Sequence, residues 1–201
     1  EHVACWTDGR KGLIAFSSGK DVHLRQEDGT TGHRVLTHSS TVSGIAFDTK
    51  GKRIAASHYN GASMWFTQSK DGSAKLYEWK GSHIGVILHP GGEALVTAMQ
   101  ENDLHGWRLS DGHNMRMSGY PAKVSSLAFT PNGKWLVTSG ADCVVAWPFF
   151  GGGPMGKPPK ELPGIPGVLC SRVATHPQQD VIAAGFADGT VRLVGHGNER
   201  V

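Results

Sequence analysis

Histidine and cysteine are the residues of this sequence most able to do chemistry, because their side chains bind metals and act as acids, bases or nucleophiles. The sequence contains eleven histidines and three cysteines. His33 and His38 fall on one predicted strand segment, and His105 and His113 flank one predicted turn. Neither pair has a third ligand at a usable spacing. We therefore expect no metal site and no cofactor.

The three cysteines do not form a recognisable catalytic or disulfide pattern. Cys5, Cys143 and Cys170 have no neighbouring histidine in the sequence, and Cys143 and Cys170 stand at apolar strand positions, where a small hydrophobic role is expected. An odd and sparse cysteine count argues against a disulfide framework and suits a reducing compartment. The sequence also lacks a phosphate loop, a nucleophile elbow and an H-E-x-x-H helix. We expect a cytoplasmic protein.

Composition excludes several classes of protein. Of 201 residues, 28 are glycine and only 18% are charged, which is not the composition of a helical bundle or coiled coil. The mean hydropathy is −0.28, and no apolar run approaches the roughly 18 residues of a membrane span. The net charge of +3 is scattered along the chain rather than clustered, which argues against nucleic acid as a partner.

An internal repeat organises the whole sequence. Short apolar runs begin at positions 13, 54, 95, 136 and 182, so their spacings are 41, 41, 41 and 46 residues. A second apolar run precedes the last four of these by about eight residues, and turn residues such as Thr130-Pro131-Asn132-Gly133 lie between the two runs. Short β-branched or aromatic segments bounded by such turns predict strands. Each unit therefore predicts a four-stranded antiparallel blade, whose strands are called A to D in chain order.

The repeat resembles the WD40 family, whose period is about 40 to 45 residues. The resemblance rests on His38-Ser39-Ser40-Thr41-Val42 followed by Ile45-Ala46-Phe47, and on Ala187-Asp188-Gly189-Thr190-Val191-Arg192-Leu193. His58-Tyr59-Asn60-Gly61-Ala62 and similar stretches resemble a bacterial WD40 group of uncharacterised function. The family's closing Trp-Asp pair is absent, since the tryptophans are followed by Phe66, Arg108 and Pro148.

This resemblance implies an all-β, WD40-type β-propeller with about five blades in this chain and, by the family's usual number, part of a seven-bladed ring. A closed five-bladed ring is the alternative. We predict one propeller domain over residues 1–201, with an incomplete last blade and with units at about 1–41, 42–82, 83–123, 124–169 and 170–201. Residues 148–166 form a Pro/Gly-rich insertion, which is either a loop at the rim or a docking segment.

Register along the repeat predicts which side chains share one face of the propeller. The loops before strand A and the loops between strands B and C lie on the same face, because strands A and C run in one direction. The partner-binding residues predicted there are Tyr59, Asn60, Trp79, Lys80, His83, Gln100, Glu101 and Tyr120. Exposed aromatic side chains with polar neighbours are typical of protein-binding surfaces.

A structural role competes with contact for the residues that precede strand A. In WD40 proteins a histidine at this place is often buried and hydrogen-bonded within its blade, so His38, together with Ser57, Asn60 and Trp65, could form such a network. Trp79 and Tyr120 stand at equivalent positions and could fill the same space. The strand-C residues Trp65, Trp107 and Trp147 are predicted core residues.

Three functions follow from this sequence. The first is a non-catalytic scaffold that binds a protein or peptide, and neither nucleic acid nor membrane, through the loop face. The second is a propeller enzyme, a hydrolase or lyase, with its site at the central channel. The channel-end positions Val42, His83, Val124 and Cys170 offer few charges for such a site. The third is a structural subunit with no function apart from a larger complex.

Overall fold

The computed structural model describes residues 1–28, 32–69 and 72–195. These residues form seventeen strands and no helix, so none of their segments is a helix able to cross a bilayer. The strands are β1 (Val3–Thr7), β2 (Gly12–Ser18), β3 (Asp21–Gln26), β4 (Arg34–Thr37), β5 (Gly44–Phe47), β6 (Arg53–Phe66), β7 (Lys75–Leu88), β8 (Ala94–Met99), β9 (Leu104–Arg108), β10 (Asn114–Met117), β11 (Leu127–Phe129), β12 (Trp135–Thr138), β13 (Val144–Pro148), β14 (Lys160–Leu162), β15 (Cys170–Thr175), β16 (Val181–Phe186) and β17 (Val191–Gly195).

The strands form four antiparallel sheets in which sequence neighbours pair. The sheet orders are β1-β2-β3-β4, then β10-β9-β8-β7-β6-β5, then β11-β12-β13-β14, and then β15-β16-β17. The leading strands of neighbouring sheets contact one another, since β1 touches β5 and β11 touches both β7 and β15. Such contacts arrange the sheets side by side around their first strands. The predicted all-β propeller is confirmed, with four sheets as blades.

Alternating side chains explain why these segments become strands. In β2, Leu13, Ala15 and Ser17 are buried, while Ile14 between them is 38% exposed. A strand turns successive side chains to opposite faces, so this alternation buries one face against the neighbouring sheet. Much of the core accordingly lies between sheets, and one cluster lies within the sheet of β5 to β10. One cluster joins Val96 and Leu104 of the second sheet to Leu136 of the third, for example.

The turns within the sheets follow the predicted chemistry. The side chain of Asp48 accepts hydrogen bonds from the backbone N–H groups of Lys52 and Arg53, at 2.8 and 3.1 Å. Asn132 accepts from the N–H of Lys134 at 2.9 Å in the corresponding turn of the third sheet. Short polar side chains close such turns because they satisfy backbone donors that the strands leave unpaired.

Strand β6 is a hairpin rather than a straight strand. A straight strand of 14 residues would be on the order of 45 Å long. The residues at its two ends are nevertheless hydrogen-bonded to each other, because the N–H of Thr67 donates to the carbonyl of Lys52 at 3.0 Å. The chain reverses at Asn60 and Gly61, whose φ values are +63° and +142°.

Strand β7 joins two repeat units without a break. Its first half pairs with β6 and its second half pairs with β8. The chain bends between the halves at Gly81, where φ is +118°. Because β7 belongs to both neighbours, the six strands β5 to β10 form one sheet, and strand pairing gives four sheets where the repeat predicts about five blades.

The insertion at 148–166 folds around one lysine. The ammonium of Lys157 donates to the carbonyls of Gly151 and Gly153, at 3.1 and 3.0 Å, and also to that of Phe150. The insertion then supplies β14, which pairs with β13. The predicted absence of an outer strand in the last unit concerns residues 196–201, which lie outside the described residues.

Candidate partner-binding surface

Two chain bends lie side by side at one end of the strands. Tyr59 and Asn60 occupy the bend of β6, and Trp79 and Lys80 precede the bend of β7. Tyr59 stands opposite Ser82 in the strand pairing. The N–H of Gly81 donates to Asn60 Oδ1 at 3.2 Å, which ties the two bends together.

Half of the predicted contact residues meet at these bends. Tyr59, Asn60, Trp79 and Lys80, together with Glu78, line an open cavity of about 570 Å³. These five residues are called the loop surface below. The side chain of Tyr59 is 56% exposed and that of Trp79 is 38% exposed, so both of these lining side chains reach solvent. The cavity therefore presents two aromatic groups with one carboxylate and one ammonium beside them.

A ring stack fixes the position of Trp79. Its ring lies on that of His105, with centroids 4.0 Å apart and planes inclined by 17°. His105 is 1% exposed and its Nε2 lies 2.8 Å from Asn114 Oδ1. Burial lowers the pKa of His105 to about 4, so its ring is neutral at neutral pH. One face of Trp79 is thereby held in place and the other is available.

His83 supports the loop surface from below and does not reach it. Its side chain is 1% exposed, which corrects the prediction that places it among the contact residues. Its Nε2–H donates to the carbonyl of Trp79 at 2.9 Å, and its Nδ1 lies 2.7 Å from Thr97 Oγ1. Burial lowers the pKa of His83, which favours the neutral ring.

Gln100 and Glu101 border the loop surface on the side of the next hairpin. Both are exposed, and the N–H of Gln100 donates to the carbonyl of Ser82 at 2.9 Å. A Cβ placed on Gly81 would lie 3.4 Å from both carboxylate oxygens of Glu101, so that carboxylate reaches the bend of β7. Glu101 therefore extends the charged edge of the cavity.

Tyr120 lies apart from the loop surface and has a structural environment. Its hydroxyl lies 2.7 Å from Thr138 Oγ1 and accepts a hydrogen bond from Trp147 Nε1, also at 2.7 Å. Burial raises the pKa of Tyr120 to about 12. Through its hydrogen bonds to Thr138 and Trp147, the hydroxyl of Tyr120 holds strand β13 against the loop that precedes β11.

Comparison with known families agrees with this geometry. The family described as "WD domain, G-beta repeat" matches residues 112–146, a segment that runs from β10 into β13. This match and the blade-like sheets together support a WD40-repeat propeller family. No curated protein matches the chain.

The position before strand A has one role in two repeat units and another in the unit between them. His38 Nε2 accepts a hydrogen bond from Trp65 Nε1 at 3.3 Å, as Tyr120 does from its own tryptophan. The rest of the network predicted for His38 does not form. Ser57 Oγ has no partner among the described residues, and Asn60 faces Gly81. The ring of Trp79 instead stacks on that of His105, and its other face is available for contact.

Sequence reasoning missed several residues that shape the site. Glu78 lines the cavity, His105 holds Trp79, and Ser40 Oγ accepts from the N–H of Tyr59 at 3.1 Å. The period could have placed Glu78 because it adjoins Trp79 in the chain. It could not have placed His105, because that contact joins different strands.

The positions predicted at the channel ends carry buried side chains. Val42, His83, Val124 and Cys170 are each 3% exposed or less. Burial raises the pKa of the Cys170 thiol and raises that of Cys143 to about 11, so both thiols are protonated at neutral pH. Among the described residues, no three His, Cys, Asp or Glu side chains converge as a metal site would require.

Proposed function

We propose that this chain is a WD40-repeat protein and a non-catalytic scaffold that binds a peptide segment of another protein at the loop surface. The observation that supports this most is that Tyr59 and Trp79 line the same open cavity. Aromatic side chains supply large contact areas at low entropic cost and dominate the binding energy of protein interfaces. A side chain of the partner would enter between the two rings.

The charges around the cavity define the rim of the proposed interface. Glu78, Lys80 and Glu101 are exposed and carry both signs within a short distance of the aromatic pair. A polar rim around an apolar centre fixes register more than it adds affinity. A partner segment with an apolar residue flanked by charges of both signs complements this arrangement.

The alternative of a channel enzyme has less support. The positions that would carry its chemistry are apolar or buried, and the described thiols at Cys143 and Cys170 are not activated. Activated nucleophiles need a lowered pKa or an adjacent base. A protein partner in the cytoplasm, rather than nucleic acid or a membrane, belongs to the same proposal and rests on the composition of the chain.

We further propose that the six-stranded sheet represents two blades joined through β7. The fold-back of β6 and the divided pairing of β7 support this reading. It gives five repeat units in this chain, and the family's usual number makes them part of a seven-bladed ring.

Affinity capture with a charge-balanced triple variant tests the scaffold proposal. The variant combines Tyr59→Ser, Lys80→Gln and Glu101→Gln, so the net charge is unchanged. We expect the proteins enriched by the wild-type chain from a native extract to fall by about tenfold or more, because an aromatic anchor and its rim are lost together. Quantitative mass spectrometry measures the enrichment, and the thermal midpoint should stay within about 3 °C of wild type, since the changes are on the surface.

The matched control lies on the last two sheets. It combines Val191→Ser, Lys160→Gln and Glu161→Gln, which remove one apolar, one basic and one acidic side chain at exposed positions. The control should capture the wild-type set. Equal capture by both triple variants would contradict the loop surface as the binding site.

A further inference from the structure

A second cavity lies at the opposite end of the strands from the loop surface. It has a volume of about 420 Å³ and is formed by the turn between β5 and β6, the end of β6 and the start of β7. The residues that matter for its chemistry are Lys50, Lys52, Arg53, Phe66, Lys75 and Tyr77. These six residues are called the turn pocket below. The inference drawn from this pocket is independent of the proposed function.

The turn pocket has an excess of positive charge. Asp48 is the acidic residue among those described at its walls, and its carboxylate is occupied by Arg53 Nε at 2.9 Å and by two backbone N–H groups of the turn. Lys50, Lys52 and Lys75 are exposed, and none forms an ion pair with the described part of the chain. Among the described residues, these three ammonium groups around the opening therefore have no counter-charge.

A buried hydroxyl faces this charge without a partner. Tyr77 is 4% exposed, and its hydroxyl has no hydrogen-bond partner among the described residues. Its ring is held by Trp107, with centroids 5.8 Å apart, and Lys75 Nζ lies 5.2 Å from the ring centroid. Burial raises the pKa of Tyr77, so the hydroxyl keeps its proton and remains a donor. Buried donors in folded proteins are rarely left without an acceptor, so a ligand oxygen at this place would satisfy the hydroxyl.

The remaining wall of the pocket is apolar. Phe66 is 61% exposed, and Leu109 is half-buried beside it. The volume is several times that of a single carboxylate, so a small inorganic anion would leave this wall uncovered. The complementary ligand carries an anionic group and an apolar group next to each other.

We propose that the turn pocket binds an acidic peptide segment. A carboxylate of the peptide accepts from the Tyr77 hydroxyl and pairs with the lysines, and a neighbouring apolar side chain covers Phe66 and Leu109. Nucleic acid fits less well, because its binding surfaces are extended basic stripes that follow the phosphates, whereas these lysines surround one pocket.

The test uses a labelled synthetic peptide with Asp and Glu on both sides of a central Leu, followed by fluorescence anisotropy. We expect Tyr77→Phe to weaken binding about tenfold, because a hydrogen bond to a charged group is lost. The triple variant Lys50→Gln, Lys52→Gln and Lys75→Gln should weaken it at least as much. A second peptide with Asn and Gln in place of the acids should not bind.

The repeat provides matched controls for the lysines. Lys11 and Lys134 stand 41 residues before and 82 residues after Lys52, at the same place in their own turns, and both are exposed. Lys11→Gln and Lys134→Gln should bind the acidic peptide within about twofold of wild type, since surface charges at a distance are screened.

A separate measurement examines the Tyr77 hydroxyl without any ligand. Removing a buried donor that has no partner leaves stability unchanged or raises it, so the thermal midpoint of Tyr77→Phe should be equal to or above that of wild type. A lower midpoint for Tyr77→Phe would contradict the conclusion that this hydroxyl has no partner in the folded protein. The proposal is also overturned if either turn-pocket variant binds the acidic peptide as wild type does, if the neutral peptide binds equally, or if a single-stranded oligonucleotide binds more tightly at the same residues.

Discussion

Gly61→Ala is expected to lower the free energy of unfolding by about 3 kcal/mol or more and to remove the loop surface. A Cβ at this position would lie 2.1 Å from the carbonyl oxygen of Tyr77, and φ is +142°. The obstacle is backbone, so the paired strands β6 and β7 must separate to admit it. For a chain of this length, the loss corresponds to a thermal midpoint about 6–12 °C lower.

Gly85→Ala is the matched control for this substitution, because it also lies in the six-stranded sheet. A Cβ there would meet Ala98 and Leu127 at 3.8 Å, an ordinary contact distance. We expect its midpoint to stay close to that of wild type. Equal midpoints for the two variants, measured by thermal denaturation, would show that the hairpin turn of β6 is not packed as described.

Acidification from pH 6.5 to about 4 is expected to destabilise the protein by on the order of 3 kcal/mol. The cause is His105, whose pKa is lowered by burial from 6.5 to about 4. Between these two values the unfolded chain binds the proton and the folded chain does not, so stability is complete above pH 6.5 and falls as the pH decreases. Burial lowers the pKa of His38 and His83 as well, which adds to the loss in the same direction.

This expectation is tested by measuring thermal midpoints between pH 8 and about pH 4. His105→Gln should flatten the profile over that range, whereas His113→Gln, at an exposed position of the same hairpin, should keep the wild-type slope. The pKa values of Asp8 and Asp188 are lowered from 3.8, so their contribution to the pH dependence of stability falls below pH 3.8, outside this range. An unchanged slope in His105→Gln would contradict a buried neutral ring under Trp79.

The repeat predicts the strands and turns because both are encoded locally. Alternating apolar residues and turn residues recur every 41 residues, and the structure confirms the antiparallel sheets that they predict. The period does not predict the joined sheet. That feature depends on bends at Gly61 and Gly81, which let β6 fold back and β7 continue into the next unit.

The candidate site could be predicted in part for the same reason. Register places Tyr59 and Trp79 on one face, and the structure brings both to one cavity. Register alone does not separate contact residues from supporting ones. His83 and Tyr120 face inward because Thr97 and Trp147 on neighbouring strands provide their hydrogen bonds, and such cross-strand partners leave no trace in a single period.

The turn pocket lies beyond prediction from the sequence. Lysines in turns are ordinary surface residues, and the signal that distinguishes these is the hydroxyl of Tyr77 beneath them. Whether a buried tyrosine finds an acceptor depends on the strands packed around it. The sequence shows only an aromatic residue at an inward position.

Site-specific photo-crosslinking tests the central claim, a protein partner at the loop surface, most directly. A benzophenone amino acid replaces Tyr59 in one protein and Val191, which is 68% exposed, in another. After irradiation in a native extract, we predict a discrete crosslinked protein at position 59 that is absent at position 191 and is lost when Trp79→Ser, which removes the second aromatic group of the cavity, is added. No crosslinked protein at position 59, or the same products at both positions, would contradict the claim.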